Sequence, residues 1–268
     1  MTASGDTHAL RAYEGLAPVY DEFTAHHDYE AWTATIEGAA RTAGLRGRRM
    51  LDVACGTGKS FLPFLARGYD VVACDLSPAM AARAEGKADG RARVEVHDMR
   101  ELPRFGRFDL VCCLDDGVNY LTGDGELELA IARMAANLAP GGVLVFDANT
   151  LHSLRTAFSE LEVVVRGGRV FIWEGLGSGR MDTGGVTRAR VEVLERTEAG
   201  WRRTSTTHCQ RHLPEPRVRG AIAAAGLDCI AVHGFTPDGR LWRRADDERH
   251  SKVLYIARAS APTAGEGR

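Results

Sequence analysis

Residues 51–58 read Leu51-Asp52-Val53-Ala54-Cys55-Gly56-Thr57-Gly58, and Asp75 closes the next apolar run of the chain. An apolar run that breaks into a small, glycine-rich turn is typical of a buried strand passing into a helix, where backbone N–H groups face a ligand. A carboxylate at the end of the following strand can accept hydrogen bonds from both hydroxyls of a ribose. Together, the two features predict a site for a nucleoside-bearing cofactor.

Strand and helix patterns alternate on both sides of this turn. Short apolar runs predict strands, and helical stretches lie between them. The predicted strands span residues 50–54, 70–74, 93–97, 109–113 and 143–148, followed by 227–232 and 252–258. Alternating strands and helices favour an α/β fold in which helices cover both faces of a parallel sheet.

The turn also opens a series of five motifs. They occupy residues 51–58, 75–80, 97–99, 108–114 and 138–145, in an order and spacing that resembles class I S-adenosylmethionine-dependent methyltransferases. The resemblance implies a Rossmann-like, seven-stranded mixed sheet and S-adenosylmethionine as the cofactor. A dinucleotide fold would instead need Gly-x-Gly-x-x-Gly, and the stretch 56–61 lacks the third glycine.

The resemblance also implies which residues contact the cofactor. Asp75 would hold the ribose, and Asp98 would accept a hydrogen bond from the adenine amine. The other implied contacts are to the methionyl part (Ala54, Gly56, Gly58) and to the adenine (Leu76, Met80). Met99 and Leu114 are also expected to bind the cofactor, as is Tyr20, for which a substrate contact is the alternative.

Two segments extend this core. The aromatic-rich start resembles the N-terminal cap of small-molecule methyltransferases. Hairpin signals at Gly167-Gly168 and residues 197–200 predict an antiparallel sheet of about four strands, similar in architecture to an insertion in glycine and deoxyaminosugar N-methyltransferases. The predicted organisation is a helical cap (1–45), a cofactor-binding core (46–150), a substrate lid (151–213), a completion of the core (214–259) and a disordered tail (260–268).

Polar residues near the predicted cofactor offer groups for chemistry. Asp116 and Asn119 follow the fourth strand, and we predict them to be a catalytic and a substrate-binding residue. On the strand at 204–212, His208 and His212 share one face, where either could take a proton from the attacking group. The alternatives are turn-and-cap chemistry for Asp116 and a solvated edge-strand face for the two histidines.

Metal and nucleic-acid sites are both disfavoured. The carboxylates after the fourth strand and the pair Asp147/Asn149 mimic the ligands of metal-dependent catechol-type O-methyltransferases, but the intervening Ala148 alters the spacing. The two histidines of the inserted strand lack a third zinc ligand. The proline-rich motif of base methyltransferases is missing after the fourth strand, and the net charge of −2 provides no footprint for duplex nucleic acid.

Length and composition allow one large α/β domain with an elaboration. The 268 residues are 44% hydrophobic without an apolar run of about 18 residues, so we predict no membrane span. Six cysteines occur without a Cys-x-x-Cys pair, and the first residues lack the basic start and apolar core of a signal peptide. We therefore expect a cytoplasmic protein, with a homodimer as an open alternative to a monomer.

These observations predict S-adenosylmethionine-dependent methyl transfer to a small polar molecule. The preferred acceptor is the amine of an amino sugar or of another amine-bearing metabolite, and O-methylation of a natural product is the alternative. A nicotinamide-dependent oxidoreductase is a rival that Asp98, Met99 and the fifth-strand motif disfavour. A catalytically silent cofactor-binding subunit is a further rival, but it would be expected to have lost a glycine of the turn or Asp75.

Overall fold

Three helices begin the described part of the chain, for which the computed structural model gives residues 6–236 and 239–259. They are α1 (Asp6–Leu16), α2 (Tyr20–Phe23) and α3 (Tyr29–Thr42). The Asp28 side chain caps α3 by accepting a hydrogen bond from Ala31 N over 3.0 Å. Tyr29, Trp32 and Ile36 recur at helical spacing and are buried, so this face of α3 packs on the main sheet.

Five strands of the main sheet then alternate with helices. They are β1 (Arg49–Val53), β2 (Asp70–Asp75), β3 (Ala92–Val96), β4 (Phe108–Cys113) and β5 (Leu138–Asn149), with the helices α4 (Leu62–Ala66), α5 (Pro78–Ala88) and α6 (Glu126–Ala135). Strand β1 pairs with β2 and β4, β2 with β3, and β4 with β5, all in parallel. Residues 50–53 and 110–113 are buried because layers of the fold cover both faces of these strands.

A second, antiparallel sheet follows β5 after a short helix, α7 (Leu151–Thr156), which the sequence did not indicate. Its strands lie in the order β6 (Leu161–Arg166), β7 (Arg169–Gly175), β8 (Val186–Thr197) and β9 (Gly200–Arg211). The two predicted hairpins join β6 to β7 and β8 to β9. One face of this inserted sheet carries Phe171, Val191 and Val193, which cluster with Leu16 of α1.

The chain then completes the main sheet through α8 (Glu215–Ala224), β10 (Leu227–Phe235), β11 (Leu241–Trp242) and β12 (Lys252–Ala259). Strand β12 lies antiparallel between β5 and β10, and the order is β11-β10-β12-β5-β4-β1-β2-β3. The predicted α/β fold with its antiparallel insertion is confirmed. Within the described residues the main sheet has one strand more than predicted, because β11 pairs only two residues with β10 and is too short for a periodic pattern.

The inserted sheet and α1 pack together beside the carboxyl ends of the parallel strands. A Cβ on Gly15 would come within 2.7 Å of Thr206 Cγ2, so glycine allows α1 to lie close against β9. None of the helices in the described ranges combines the length and the apolar character needed to cross a membrane. The predicted disordered tail, residues 260–268, lies outside those ranges.

Candidate active site

The turn after β1 directs its backbone toward a cavity. Ala54 and Gly56 have φ angles of 57° and 54°, a region that glycine adopts freely and that strains alanine. Gly56 N donates a hydrogen bond to Asp75 Oδ2 over 2.8 Å. The carboxylate that ends β2 therefore fixes the conformation of the turn that follows β1.

Asp75 is buried, with 8% of its surface exposed, and main-chain donors hold its carboxylate. Oδ1 accepts a hydrogen bond from Ser77 N over 2.9 Å, and Ser77 Oγ caps α5 by accepting from Met80 N. Burial raises the pKa of Asp75 to about 6, although the main-chain donors favour the charged form. The remaining lone pairs of this carboxylate suit a ligand that donates hydroxyl hydrogen bonds.

An inner cavity opens at these two strand ends. The side of α1 that faces it carries Leu10 and Tyr13. Asp98 lies in the wall and accepts a hydrogen bond from Arg100 Nε over 3.0 Å. Most residues that the motifs imply as cofactor contacts line this cavity, namely Tyr20, Ala54, Gly56, Asp75, Leu76, Asp98, Met99 and Leu114.

Two of the implied cofactor residues do not line the inner cavity. Gly58 has a φ of 88°, and a Cβ there would lie 3.0 Å from the Phe61 ring and 3.3 Å from Ala84 Cα. Met80 is wholly buried in α5. In this structure Gly58 permits tight packing of the turn and Met80 fills the core beneath it, and direct contact with the cofactor stays a prediction for both.

An outer cavity lies between the N-terminal helices and the inserted sheet. Its wall includes Phe171 and Trp173 of β7 and His208 and Gln210 of β9. The two cavities share a wall, which is formed by Tyr13, Tyr20, Tyr29, Asp115 and Tyr120. A group transferred between molecules in the two cavities would pass this shared wall.

Three carboxylates and one ammonium meet at the shared wall. Asp147 accepts hydrogen bonds from Asp115 N over 2.6 Å and from Asp116 N over 3.1 Å. Lys252 Nζ lies 2.9 Å from Asp115 Oδ1 and 3.0 Å from Asp147 Oδ2, and it also donates to Asp116. These four residues are termed the acidic cluster. Asp115 and Asp116 both have positive φ angles, a local strain of the kind that collects at functional sites.

The acidic cluster has more carboxylates than its ammonium can neutralise. Burial acts to raise the pKa of Asp115, but the Lys252 ammonium and hydrogen bonds hold it well below its usual range. The pKa of Asp116 rises to about 6 because burial and repulsion by the other two carboxylates outweigh the attraction of Lys252. Burial also raises the pKa of Asp147. The cluster therefore favours an additional positive charge at the shared wall.

His208 and Gln210 connect the inserted sheet to this wall. Gln210 Nε2 donates a hydrogen bond to Asp116 Oδ2 over 2.6 Å. His208 Nδ1 lies 2.8 Å from Tyr120 Oη, and its Nε2 lies 3.3 Å from Thr206 Oγ1. Burial lowers the pKa of His208 to about 4, so the imidazole is neutral near pH 7.

Two other predicted site residues line neither cavity. His212 lies beyond the end of β9, where its Nε2 is 2.8 Å from Asp247 Oδ2. Asn119 is wholly buried; its Oδ1 accepts from Asn149 N, and its Nδ2 donates to Arg211 O. A role at the substrate stays a prediction for both side chains, since neither lines a cavity in this structure. Both connect neighbouring segments, a use that strand periodicity does not distinguish from catalysis.

The structure adds site residues that the sequence reasoning did not assign. Tyr29 Oη donates to Asp115 Oδ2 over 2.7 Å at the shared wall. His27 lines the outer cavity, and among the described residues its buried Nε2 has no hydrogen-bond partner. Burial lowers the pKa of His27. The sequence sets Lys252 apart only as one of three lysines in the chain, and this rarity alone does not assign it to a site.

The residues of the inner cavity fit the nucleoside-bearing cofactor that the motifs imply. The open position above Gly56, where a Cβ would still be 4.0 Å from the Tyr20 ring, lets a ligand approach the backbone. Asp75 places a carboxylate in the cavity wall, an acceptor of the kind that ribose hydroxyls require. In the described ranges, no group of three or more His, Cys, Asp or Glu side chains is arranged to hold a metal ion. In the acidic cluster, an ammonium already contacts the carboxylates.

The chain is similar to known methyltransferases in sequence. The family described as "Methyltransferase domain" matches residues 50–142. The dTDP-3-amino-3,6-dideoxy-alpha-D-glucopyranose N,N-dimethyltransferase of Streptomyces fradiae is 30% identical over 218 residues, which cover 80% of this chain and 82% of that protein. The dTDP-3-amino-3,4,6-trideoxy-alpha-D-glucopyranose N,N-dimethyltransferase of Streptomyces venezuelae is 29% identical over 228 residues, or 84% and 94% of the two chains.

The similarity extends to solved structures. A sugar N-methyltransferase from a Streptoalloteichus species superposes with a TM-score of 0.72 at 29% identity, covering 90% of this chain and 92% of that one. Two further sequence relatives, from Bacillus subtilis and a Geobacillus strain, are 33% and 32% identical, and the matched regions span only 60% and 62% of their lengths. The longer matches reach well beyond residues 50–142 and include segments that surround the outer cavity.

Proposed function

Because the chain belongs to the family of S-adenosylmethionine-dependent methyltransferases, we propose that it transfers a methyl group from this cofactor to the amine nitrogen of a small molecule. The bound cofactor supplies a methyl group that its sulfonium already activates. The protein therefore needs chiefly to bind both molecules, to align them and to exclude water. The relatives that act on amino sugars support an amine as the acceptor.

In this proposal the inner cavity holds the cofactor. Asp75 accepts hydrogen bonds from the ribose hydroxyls, and Gly56 leaves room for close approach to the backbone. Asp98 serves the adenine amine through a carboxylate that Arg100 orients. Gly58 allows the turn after β1 to pack closely, and Met80 of α5 is buried in the core.

The acidic cluster is the observation that carries the choice of an amine. As the new C–N bond forms, positive charge develops on the acceptor nitrogen, and nearby carboxylates stabilise that charge. A protonated amine is also attracted to the shared wall, where Asp116, with a pKa of about 6, is the carboxylate best suited to take its proton. The proposal needs no metal ion, because methyl transfer from a sulfonium requires no Lewis acid.

We extend the proposal to the organisation of the chain. The cap at residues 1–45 supplies Tyr13 and Tyr20 to both cavities, and the lid at 151–213 supplies Trp173 and His208 to the outer one. With both segments packed over the carboxyl ends of the strands, bulk water is kept from the reacting groups. The core at 46–150 and its completion at 214–259 then carry the cofactor and Lys252.

The test is the position of the transferred methyl group. We would incubate the protein with S-adenosylmethionine and with compounds that carry both an amine and a hydroxyl, namely tyramine, glucosamine and ethanolamine, and locate the methyl group by tandem mass spectrometry. We expect N-methylated product, and Asp116→Asn should lower turnover, whereas Asp124→Asn on the exposed surface should not. Methylation on oxygen would contradict the proposal and favour the O-methyltransferase alternative.

A further inference from the structure

The outer cavity has a one-sided charge distribution. Four of its lining residues carry carboxylates: Asp115 and Asp116 at the inner end, and Glu160 and Glu162 at exposed positions. Among the described residues, neither Glu160 nor Glu162 has a side-chain ion-pair partner. No lysine or arginine belongs to the described lining, and its ionisable bases are the three histidines His26, His27 and His208. Apart from the ammonium of the acidic cluster, the cavity therefore offers an acceptor molecule negative charge.

Two arginines of the inserted sheet, Arg166 and Arg169, lie on the face of the sheet that borders this cavity, but Glu22 engages both guanidinium groups. The β-sheet register puts Arg166 and Arg169 opposite one another, two positions beyond the lining residue Val164. Arg166 Nη1 donates to Glu22 O over 2.7 Å, and Arg169 Nη1 donates to Glu22 Oε2 over 2.6 Å. Arg169 also pairs with Glu195. These guanidinium groups hold α2 against the sheet, and neither lines the cavity.

Aromatic rings form much of the remaining wall. Trp173 lies edge-to-face with Phe158 at a centroid distance of 5.2 Å, and its Nε1 donates to Ala157 O. Phe23 and Phe171 form a second ring pair at 5.7 Å, and Tyr13 lies on the side of α1. Ring faces attract ammonium groups and pack against apolar frames. Aromatic rings do not provide the charged hydrogen-bond donors with which arginine and lysine normally bind a phosphate.

We infer that the acceptor is a cationic amine on an apolar or aromatic frame that bears no phosphate or carboxylate group. This inference rests on the proposed function and narrows its substrate class. It separates this chain from the two Streptomyces relatives, whose names specify dTDP-linked sugars. A diphosphate would meet Glu160 and Glu162 at exposed positions of the cavity, and no described lining residue carries a guanidinium or ammonium group to pair with it.

The test measures binding at the outer cavity while the inner one is saturated with S-adenosylhomocysteine. Calorimetry would compare phenethylamine, its anionic counterpart 3-phenylpropanoate, and thymidine diphosphate. We expect phenethylamine to bind at least tenfold more tightly than 3-phenylpropanoate, and thymidine diphosphate neither to bind nor to compete at millimolar concentration. Tighter binding of thymidine diphosphate than of phenethylamine, or equal binding of the cation and the anion, would overturn the inference.

A charge-reversal variant tests whether Glu160 and Glu162 cause the preference for a cationic ligand. Glu160→Lys/Glu162→Lys should weaken phenethylamine binding about tenfold and allow thymidine diphosphate to bind, whereas Glu101→Lys, at an exposed position that lines neither cavity, should change neither. An unchanged preference in the double variant would overturn the role of these two residues.

Mass spectrometry separates the two proposals: phenethylamine that binds without being methylated supports the cationic class but contradicts the proposed function. Methylation of a dTDP-linked amino sugar in preference to phenethylamine supports the proposed function but contradicts the cationic class of acceptor.

Discussion

Lys252 Nζ lies 3.0 Å from Asp147 Oδ2, although 105 residues separate the two in sequence. The antiparallel pairing of β12 with β5 brings them together, because Lys252 lies opposite Asn149 at the end of β5. The same ammonium contacts Asp115 and Asp116. The last strand of the sheet therefore supplies the positive charge that allows three carboxylates to lie side by side.

Replacing Lys252 should destabilise the fold strongly. In Lys252→Met the three carboxylates lose their shared ammonium, and removing one partner from a largely buried ionic network costs about 3–5 kcal/mol. Lys87→Met is the matched control, because Lys87 pairs with Asp21 at a more exposed site where a pair contributes about 0–1 kcal/mol. Urea unfolding of both variants measures the difference. Equal loss of unfolding free energy in the two variants would contradict the role assigned to Lys252.

Asp75→Asn should weaken cofactor binding and also lower the unfolding free energy. The amide keeps the shape of the side chain and an oxygen for Gly56 N or Ser77 N, but its NH2 group leaves the other main-chain donor without an acceptor, and it loses the charge that strengthens bonds from ribose hydroxyls. A loss of about 1.5–3 kcal/mol corresponds to a tenfold or greater rise in the Kd for S-adenosylhomocysteine. Asp70→Asn, at the exposed start of β2, is the control. If calorimetry gives the same Kd for wild type and Asp75→Asn, Asp75 only shapes the turn and does not bind the cofactor.

Cofactor affinity should also depend on pH through Asp75. Burial raises the pKa of Asp75 to about 6 in the free protein, and the ionised carboxylate is the better acceptor for hydroxyl donors. Affinity for S-adenosylhomocysteine should therefore be constant above about pH 7 and fall as the pH decreases through 6, by about tenfold at pH 5. The Asp75→Asn variant should lack this step near pH 6. A step of equal size in the variant would assign the titration to another group.

The fold and the cofactor turn could be predicted because their signals are local. An apolar strand, a small-residue turn and an acidic residue at the next strand end lie within 25 residues, and parallel strands bring their carboxyl ends to one edge of a sheet. Gly58 and Met80 mark the limit of that reasoning. A glycine or an apolar helix residue serves packing as readily as ligand binding, so the motif alone does not tell the two uses apart.

The acidic cluster could not be predicted in full, because its geometry depends on long-range strand pairing. Asp115 and Asp116 follow a recognisable strand, but Lys252 reaches them only through the pairing of β12 with β5. Tyr29 lies 86 residues from its partner Asp115. A lone lysine at the start of a strand gives no pattern, and the aromatic residues of the cap have the spacing of an ordinary packed helix.

The two histidines at the end of the inserted sheet should behave differently when replaced. His208 lines the outer cavity and holds Tyr120 of the shared wall, whereas His212 lines neither cavity and pairs with Asp247. His212→Ala should therefore keep normal turnover below its melting temperature and lose about 0.5–1.5 kcal/mol of unfolding free energy, since it removes the acceptor of Gly184 N and the neighbour of the half-exposed Asp247. A large loss of turnover in folded His212→Ala would restore the catalytic role that strand periodicity predicted.

His208→Ala should lower turnover with the acceptor amine by about 10²-fold and leave the Kd for S-adenosylhomocysteine unchanged, because a misplaced Tyr120 costs alignment at the shared wall. With a pKa of about 4, His208 stays neutral throughout an assay between pH 6 and 9. It therefore acts as a hydrogen-bonding partner that positions Tyr120, and replacing it should not shift the pH profile of kcat. His208→Asn, which retains an acceptor near Tyr120 Oη, should recover most of the turnover. The contrary outcome is that His208→Asn lowers turnover as much as His208→Ala and that a titration step disappears from the pH profile of kcat between pH 6 and 9. That result would show that His208 itself exchanges the proton and that Tyr120 has no role in turnover.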